Sequence, residues 1–389
     1  MNQPETQQLA SARMYWLDGA RLAAAFCIIG IHSSADQMGQ AFSDALPGER
    51  VFPVMMRTVS EIASTEFFIL ISLFLLAVRM SRNELPYLSN VKQQVRRLLV
   101  PFVVWTVFYA FFRLYKAHYL GYADAMWSEI THWQSWVYYL TLGWSNYHMH
   151  FLPTLFVLIL FYPVYTLAIR APVIGLVVLP LLYLNSMFGG FIWRTFEDIM
   201  IIESWMRAAK LLTYTSYGFV AYALYGIWLS KPDKKTMGSI FGFAMLALVI
   251  GFLIKMTQAA EIIQTGNFGI RHGAVYMGHF LFPCFMVMAF MGSQYFRWPE
   301  KLSQWSRYSF GMYLLHPAFL YMIEVALHEN TLSPTALVLV KFSFAVTLSL
   351  CTSVALGRSR WLAWTIGLGN IPFIETSQKP QTKVAVAVN

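Results

Sequence analysis

Apolar stretches of about 20 residues recur along the whole chain, separated by shorter polar segments, and about 20 apolar residues are what a helix needs to cross a bilayer. The pattern therefore predicts an all-α polytopic membrane protein with about ten transmembrane helices. The predicted spans are residues 15–35, 58–78, 98–115, 150–169, 172–191, 211–229, 238–256, 273–295, 309–327 and 335–356.

Composition supports this class, because 57% of the residues are hydrophobic and only 12% are charged, against about 25% charged residues in soluble domains. The first span has no small-residue cleavage site after it, so we expect a retained helix and not a signal peptide. The sequence contains no phosphate-binding P-loop and no zinc-protease motif, so ATP-driven transport and zinc hydrolysis lack support and no metal site is predicted. It also lacks a basic and aromatic signature for nucleic-acid binding.

The positive charges predict the orientation. If both termini are cytoplasmic, 18 of the 28 Lys and Arg residues fall on the inner segments, as loops rich in Lys and Arg do. The net charge of +9 is then a feature of the cytoplasmic face, suited to anionic lipid or a phosphorylated ligand. We expect one transmembrane domain at 1–360 and a cytoplasmic C-terminal tail at 361–389.

Two ionisable residues in the first apolar helix stand out. Arg21 and His32 are eleven residues apart, so they face the same side of a helix and are separated by roughly 16 Å along its axis. Buried ionisable residues in membrane helices are functional candidates. The alternative is that Arg21 snorkels to the interface and His32 bonds a neighbouring helix.

Five short motifs follow one another in a characteristic order. The motifs are Tyr15-Trp16-Leu17-Asp18 with Arg21 and His32, Glu66-Phe67-Phe68-Ile69-Leu70-Ile71-Ser72, Arg96-Arg97-Leu98-Leu99-Val100-Pro101, His150-Phe151-Leu152, and Tyr308-Ser309-Phe310-Gly311-Met312-Tyr313-Leu314-Leu315-His316-Pro317. From residue 15 to about 356 the chain resembles the acyltransferase-3 family of integral membrane acyltransferases, and in particular its stand-alone polysaccharide O-acetyltransferases. It departs from the family pattern at Leu73, where glycine is usual, and at His150, where tryptophan is frequent.

The resemblance implies an O-acetyltransferase of the bacterial inner membrane. It implies transfer of an acetyl group from cytoplasmic acetyl-CoA, as a donor substrate and not a resident cofactor, to a hydroxyl of a lipid-linked or growing surface polysaccharide. Membrane lipid is an expected partner, and homo-oligomer formation is left open. Two other readings stay open: a transporter or flippase for a polysaccharide precursor, and a lipid-linked glycosyltransferase that would use carboxylates of the first outer loop, 36–57.

For the chemistry we predict His32 as the general base, since its unperturbed pKa of about 6.5 suits proton transfer near neutral pH. Glu66 is the carboxylate predicted to act with His32, and Asp36 is the alternative carboxylate for that role. The alternative for Glu66 is a buried structural pair with Arg57 or a backbone group.

Six residues are predicted to hold the donor. Basic side chains would bind the phosphates of acetyl-CoA, and the others would contact its pantetheine arm and thioester carbonyl. Lipid anchoring is the alternative for the basic residues at 92–97, and a structural hydrogen bond is the alternative for the serine and the histidine. The predicted donor residues are Arg21, Arg96, Arg97, Lys92, Ser72 and His316.

The acceptor is expected at the outer side. Asp36, His148, His150 and Trp144 are predicted to line its site, with interfacial anchoring as the alternative. The aromatic segment 116–149 is predicted to lie along the interface or to re-enter the membrane, and segment 192–210 is predicted to be a further outer segment.

Overall fold

The structure is a computed structural model that describes residues 13–82, 86–269, 273–329 and 332–372, with the backbone alone at positions 199 and 200. Within these ranges the secondary structure consists of helices and turns, which confirms the predicted all-α class. The helices are α1 (Tyr15–Ser33), α2 (Pro47–Ser60), α3 (Thr65–Arg82), α4 (Tyr87–Gln94), α5 (Val100–Tyr119), α6 (Ala123–Thr131), α7 (Trp133–Leu142), α8 (Phe151–Leu160), α9 (Tyr162–Tyr165), α10 (Leu167–Arg170), α11 (Val178–Thr195), α12 (Ile199–Leu229), α13 (Lys234–Thr265), α14 (Gly273–Gly292), α15 (Leu302–Ser306), α16 (Ser309–Ala326) and α17 (Pro334–Arg358).

Among the described residues, six helical stretches are individually long and apolar enough to cross a membrane. A seventh arises if α8 and the segment Tyr162–Arg170, which meet at a bend of 62°, count as one broken span. The predicted first, sixth and ninth spans correspond to α1, α12 and α16, which are not among these stretches. Helices α1 and α16 carry ionisable side chains into the bundle, which makes them less apolar. The polytopic class is confirmed, and the number ten stays a prediction.

Helix α1 lies at the centre of the bundle and packs against α2, α3, α14, α15, α16 and α17. Its buried face is built from small residues, including Ala20, Ala24 and Gly30, which allow close approach of neighbouring helices in membranes. At Gly30 the approach is closest, since a Cβ atom there would lie 2.3 Å from Ser60 Oγ. The sequence of α1 thus fixes the position of the helix that carries Arg21 and His32.

The segments predicted as outer loops are largely helical. The predicted loop 36–57 was wrong in its second half, because α2 begins at Pro47, with Glu49 accepting a hydrogen bond from the Leu46 backbone N–H at 2.9 Å. Helices α6 and α7 occupy most of 116–149, and α12 begins within 192–210. Apolar run length missed α2, α6 and α7 because these helices are 14, 9 and 10 residues long, shorter than the about 20 residues of a membrane span.

Residues 361–372, at the start of the predicted tail, contact the bundle. A 3-10 turn at Ala363–Ile366 follows α17, and the indole N–H of Trp105 on α5 donates to the Thr365 carbonyl at 2.8 Å. This segment therefore contributes to the wall of the pocket described below. The remainder of the tail, from 373, lies outside the described residues, as do residues 1–12.

Candidate active site

A pocket of about 140 Å³ lies beside the first half of α1, and four arginines line it. No carboxylate is among its lining residues, so its walls carry a concentrated positive charge. Arg97 and Arg307 are solvent-exposed and mark its mouth. The polar side chains of the lining are Arg21, Ser72, Arg79, Gln94, Arg97, Arg307 and Ser309.

The backbone explains how these arginines come together. Arg79 follows Ser72 by seven residues on α3, which places the two side chains on one helix face. Arg97 lies in a π-helical turn, Val95–Leu99, between α4 and α5. A π turn inserts one residue into a helix and is frequent at functional sites. Here it changes the rotational register of Arg97 relative to α4.

Arg21 keeps its hydrogen-bonding capacity for the pocket. The nearest carboxylate is Asp18, with 4.0 Å between an Arg21 Nη and an Asp18 Oδ atom. The same carboxylate accepts shorter hydrogen bonds, from Arg13 at 3.0 Å and from Ser306 at 2.6 Å. A planar guanidinium that is not held by a close carboxylate suits bidentate binding of phosphate.

The remaining predicted donor residues lie in two different places. Lys92 and Arg96 are on α4 and the π turn but are not among the residues that line the pocket. Lys92 is exposed and Arg96 half-buried. His316 lies away from the pocket, on the part of α16 that packs beside His32.

A cluster of aromatic rings surrounds His32 at the other end of α1. The ring of Tyr147 lies 4.3 Å from that of His32, and the ring of His316 lies 5.4 Å from it, between centroids. His148 adjoins His316 at 5.5 Å, and Tyr109 packs edge-on against His148 at 4.8 Å. The structure therefore brings together three histidines that are distant in sequence.

The hydrogen bonds of His316 define its proton position. Its Nδ1 atom lies 2.7 Å from the Tyr313 carbonyl oxygen, so Nδ1 carries the proton and donates it. The Nε2 atom of a neutral ring then has a free lone pair. In the described part of the chain this Nε2 is buried without a hydrogen-bond partner, and the fully buried ring faces His32. Such a nitrogen is able to accept a hydrogen bond or a proton.

One layer of aromatic side chains joins the pocket to the histidine cluster. Phe68 lines the pocket and its ring lies 5.6 Å from that of Tyr313. Tyr313 in turn lies 5.5 Å from the ring of His148 and 6.0 Å from that of His316. These ring contacts form a continuous packed layer between the arginine pocket and the histidine cluster.

Glu66 is buried, but it lies in a separate hydrogen-bond network. Its carboxylate accepts hydrogen bonds from Tyr214 at 2.9 Å and from Ser64. The alternative pairing with Arg57 is not what the structure shows, because Arg57 pairs with Glu61 at 2.9 Å. Among the described residues no direct contact joins Glu66 to His32.

The other predicted acceptor residues have local roles. Asp36 caps a turn by accepting from the backbone N–H groups of Met38 and Gln40, each at 2.8 Å. His150 holds the loop before α8 through Nδ1, 2.8 Å from the Tyr147 carbonyl. Trp144 stacks on Tyr138 at 5.3 Å and lies beneath the Arg207 guanidinium.

Sequence reasoning missed Arg79, Arg307 and Tyr147. The seven-residue spacing from Ser72 could have identified Arg79 as a residue on the same face. Arg307 and Tyr147 have no comparable signal, because the contacts that bring them to the pocket and to His32 depend on how distant helices pack.

Comparisons with known proteins agree with this architecture. No match was found among curated proteins or among solved structures. The family model described as an acyltransferase domain matches residues 14–358, a range that includes the pocket arginines and the three clustered histidines. The chain belongs to the acyltransferase-3 family of membrane acyltransferases.

Proposed function

We propose that this membrane acyltransferase transfers an acetyl group from acetyl-CoA to a hydroxyl of a lipid-linked or growing surface polysaccharide. The observation that carries the proposal is the arrangement along α1. One unbroken helix, Tyr15–Ser33, presents Arg21 to the arginine pocket and His32 to the histidine cluster, roughly 16 Å apart along its axis.

The pocket suits the phosphates of CoA. Arg21, Arg79, Arg97 and Arg307 supply guanidinium groups that bind phosphate through paired hydrogen bonds. The pantetheine arm of CoA is long and ends in a thioester. Its path would run past Phe68 and Tyr313 toward His32, so the phosphates would remain near the exposed mouth while the acetyl group is presented deep in the bundle.

The histidine cluster suits the transfer step. His32 would take the proton of the acceptor hydroxyl, and the hydroxyl oxygen would attack the thioester carbon. The tetrahedral intermediate collapses with cleavage of the C–S bond, giving the acetyl ester and a CoA thiolate, which takes the proton. The lone pair of His316 Nε2 offers a second proton acceptor beside His32. Glu66 would support the site through its hydrogen bonds with Ser64 and Tyr214 and not through a direct contact with His32.

The membrane face at which we place the acceptor follows from the distribution of Lys and Arg residues. We place the mouth of the arginine pocket at the cytoplasmic face because loops rich in Lys and Arg stay inside. The histidine cluster then lies toward the outer face of a bacterial inner membrane, where polysaccharide is assembled. Only the acetyl group has to cross, while CoA remains cytoplasmic.

No specific observation favours the glycosyltransferase alternative. The carboxylates of the first outer loop, which that chemistry would require, are occupied locally: Asp36 caps a turn, Glu49 caps α2, and Asp44 accepts from Ser43. The flippase alternative makes a different prediction, because it requires no consumption of acetyl-CoA.

The test is transfer by the purified protein in lipid nanodiscs. We expect wild-type protein to release CoA from acetyl-CoA when acceptor glycan is supplied, and to label the glycan with acetyl. His32→Ala should lower the rate by about 10²- to 10⁴-fold, since the hydroxyl loses its base. The matched control is Asn185→Ala, which removes a hydrogen bond to Tyr276 away from both sites. Equal activity of wild type and His32→Ala would overturn the proposed mechanism.

A further inference from the structure

Three cations converge on the backbone where α1 ends beside His32. Arg57 Nη1 donates to the Ile31 carbonyl at 3.3 Å, Lys341 Nζ to the Ala35 carbonyl at 2.8 Å, and Lys116 Nζ to the Gln37 carbonyl at 2.7 Å. The three cations come from three different helices, α2, α17 and α5. The carbonyl end of a helix carries partial negative charge, which favours cations there.

Buried carboxylates hold these cations in place. One Glu324 oxygen lies 2.6 Å from Lys341 Nζ and the other lies 2.7 Å from Lys116 Nζ. Lys341 is fully buried and Glu324 nearly so. On the other side of α1, Glu61 pairs with Arg57 at 2.9 Å and with Lys255. The Lys116–Glu324–Lys341 triad thus leaves one excess positive charge inside the bundle.

Stability alone does not account for such a triad. Burying ion pairs carries a desolvation penalty that often exceeds their attraction, and apolar replacements are often neutral or stabilising. The triad does something that apolar residues would not do, because two ammonium groups fix two carbonyls, those of Ala35 and Gln37, within five residues of His32.

The triad is also linked to Tyr147, whose ring packs against His32. Lys116 Nζ lies 5.0 Å above the Tyr321 ring, and the Tyr321 hydroxyl donates to Asn146 Oδ1 at 3.0 Å. The same Asn146 oxygen accepts the backbone N–H of Tyr147 at 2.8 Å. Tyr147 is the residue whose ring lies 4.3 Å from His32.

We propose that Lys116, Glu324 and Lys341 are positioning residues that together fix the end of α1 and the Tyr147 loop, and so hold His32 in the geometry that proton abstraction requires. This inference rests on the proposed acetyl transfer. A displacement of about 1 Å in a catalytic group lowers rates by about 10²-fold. The triad would therefore act on the chemical step and leave the distant donor pocket unchanged.

The experiment compares Lys341→Met and Lys116→Met with wild type in nanodiscs. Each change removes one ammonium and leaves Glu324 its other partner, so no carboxylate is left buried without a cation. The matched control is Arg50→Met. Arg50 is also buried and donates to backbone carbonyls, those of Phe42 at 2.9 Å and Ile263 at 3.1 Å, but it has no contact with the His32 cluster among its described hydrogen bonds.

We expect kcat to fall by about 10- to 100-fold in both lysine variants, with the KM for acetyl-CoA unchanged within about twofold. Lys116→Arg, which keeps a cation, should recover most of the rate. Amide hydrogen exchange should accelerate in peptides covering residues 31–40 of the lysine variants. In Arg50→Met it should accelerate at 42–50 instead, with kcat retained.

The outcomes separate this inference from the proposed function. Folded lysine variants with wild-type kcat, or without faster exchange at 31–40, would overturn the positioning role while leaving acetyl transfer intact. A wild-type protein that binds acetyl-CoA but never transfers acetyl would overturn the proposed function. The exchange measurement still decides whether the triad fixes the end of α1, because it does not depend on turnover.

Discussion

The ring of His316 stacks on the ring of His32, with centroids 5.4 Å apart and planes inclined by 24°. The two residues are carried by α1 and α16, which pack directly against each other. Because the Nδ1 of His316 donates to the Tyr313 carbonyl, its Nε2 has a free lone pair, which in the proposed mechanism would serve the same acceptor hydroxyl as His32. The sequence predicted His316 beside the donor arm, whereas the structure places it beside His32, the proposed base.

This pairing predicts coupled effects of substitution. His316→Gln should lower kcat by about 10- to 100-fold, because it removes one proton acceptor while keeping a side chain of similar size. The double variant with His32→Ala should be little slower than His32→Ala alone, since residues that act as a unit are strongly non-additive. Steady-state acetyl transfer by the four proteins of this cycle provides the measurement. Losses that multiply in the double variant would indicate that the two histidines act independently.

The arginine pocket predicts which substitutions weaken donor binding. Arg21→Ala, Arg79→Ala and Arg307→Ala should each weaken acetyl-CoA binding by about 10- to 100-fold, the equivalent of about 1.5–3 kcal/mol for a hydrogen bond to a charged group. Titration calorimetry of the purified protein with acetyl-CoA measures this. Binding should also weaken with rising salt, most strongly through exposed Arg97 and Arg307.

The control for donor binding is Lys235→Ala, which removes an exposed cation on α13 outside the pocket. Lys92→Ala and Arg96→Ala provide a further comparison, because the structure does not place these residues in the pocket lining. Unchanged affinity in the pocket variants, together with reduced affinity in Lys92→Ala, would move the donor site to α4.

Apolar periodicity was sufficient for the fold class but not for the helix ends. The pattern identified α3, α5 and α17 because each carries a continuous apolar run of the length of a bilayer. It missed α2, which is amphipathic, with buried residues on one face and exposed residues on the other. It also ended the predicted seventh span at residue 256, well before Thr265, where α13 ends. Helices that extend beyond the hydrocarbon layer change polarity without changing conformation, so hydropathy does not mark their ends.

The candidate site was partly predictable for a related reason. Arg21 and His32 were singled out because they are ionisable residues on one face of an apolar helix, where such a side chain requires an explanation. Ser72 and Glu66 came from the family motif at 66–72, and the structure shows Glu66 hydrogen-bonded to Tyr214 and Ser64. Periodicity predicts which residues share a face of one helix, whereas the partner of a buried carboxylate depends on which helix packs opposite.

The backbone conformation of Gly143 predicts that a larger residue there lowers the stability of the protein next to the histidine cluster. This residue ends α7 with φ +71°, and a Cβ atom there would lie 2.5 Å from the backbone of His150. Gly143→Ala should lower the free energy of unfolding by about 1–2 kcal/mol for the left-handed conformation alone, with an added cost for the backbone contact. The measurement is the thermal midpoint in detergent, alongside kcat. Gly121→Ala is the matched control, because Gly121 has φ +79° but nothing within 4 Å of its Cβ position.

If the backbone contact matters, Gly143→Ala should be less stable than Gly121→Ala and should also lose activity, because His150 and Tyr147 belong to one loop. Equal thermal midpoints for the two variants would show that conformational strain is the whole effect and that the contact with His150 relaxes without cost.

The last prediction concerns the sides of the membrane from which the substrates approach. Arg97 and Arg307 lie at the mouth of the arginine pocket, and Lys and Arg are expected on inner segments. His32 lies about three helical turns farther along α1 than Arg21. Acetyl-CoA should therefore be used from the face that carries Arg97, and acetylated sugar should form on the face that carries α6 and α7.

Sealed vesicles of known orientation test this arrangement. Labelled acetyl-CoA is supplied outside inverted vesicles, so that the cytoplasmic face is exposed to it, and acceptor glycan is enclosed or added outside. Label should reach only the enclosed acceptor, and His32→Ala vesicles should transfer none. Label found only on acceptor outside, on the same side as the CoA, would show that His32 is reached from the donor side. The Arg21–His32 spacing would then reflect the depth of one pocket and not a path across the membrane.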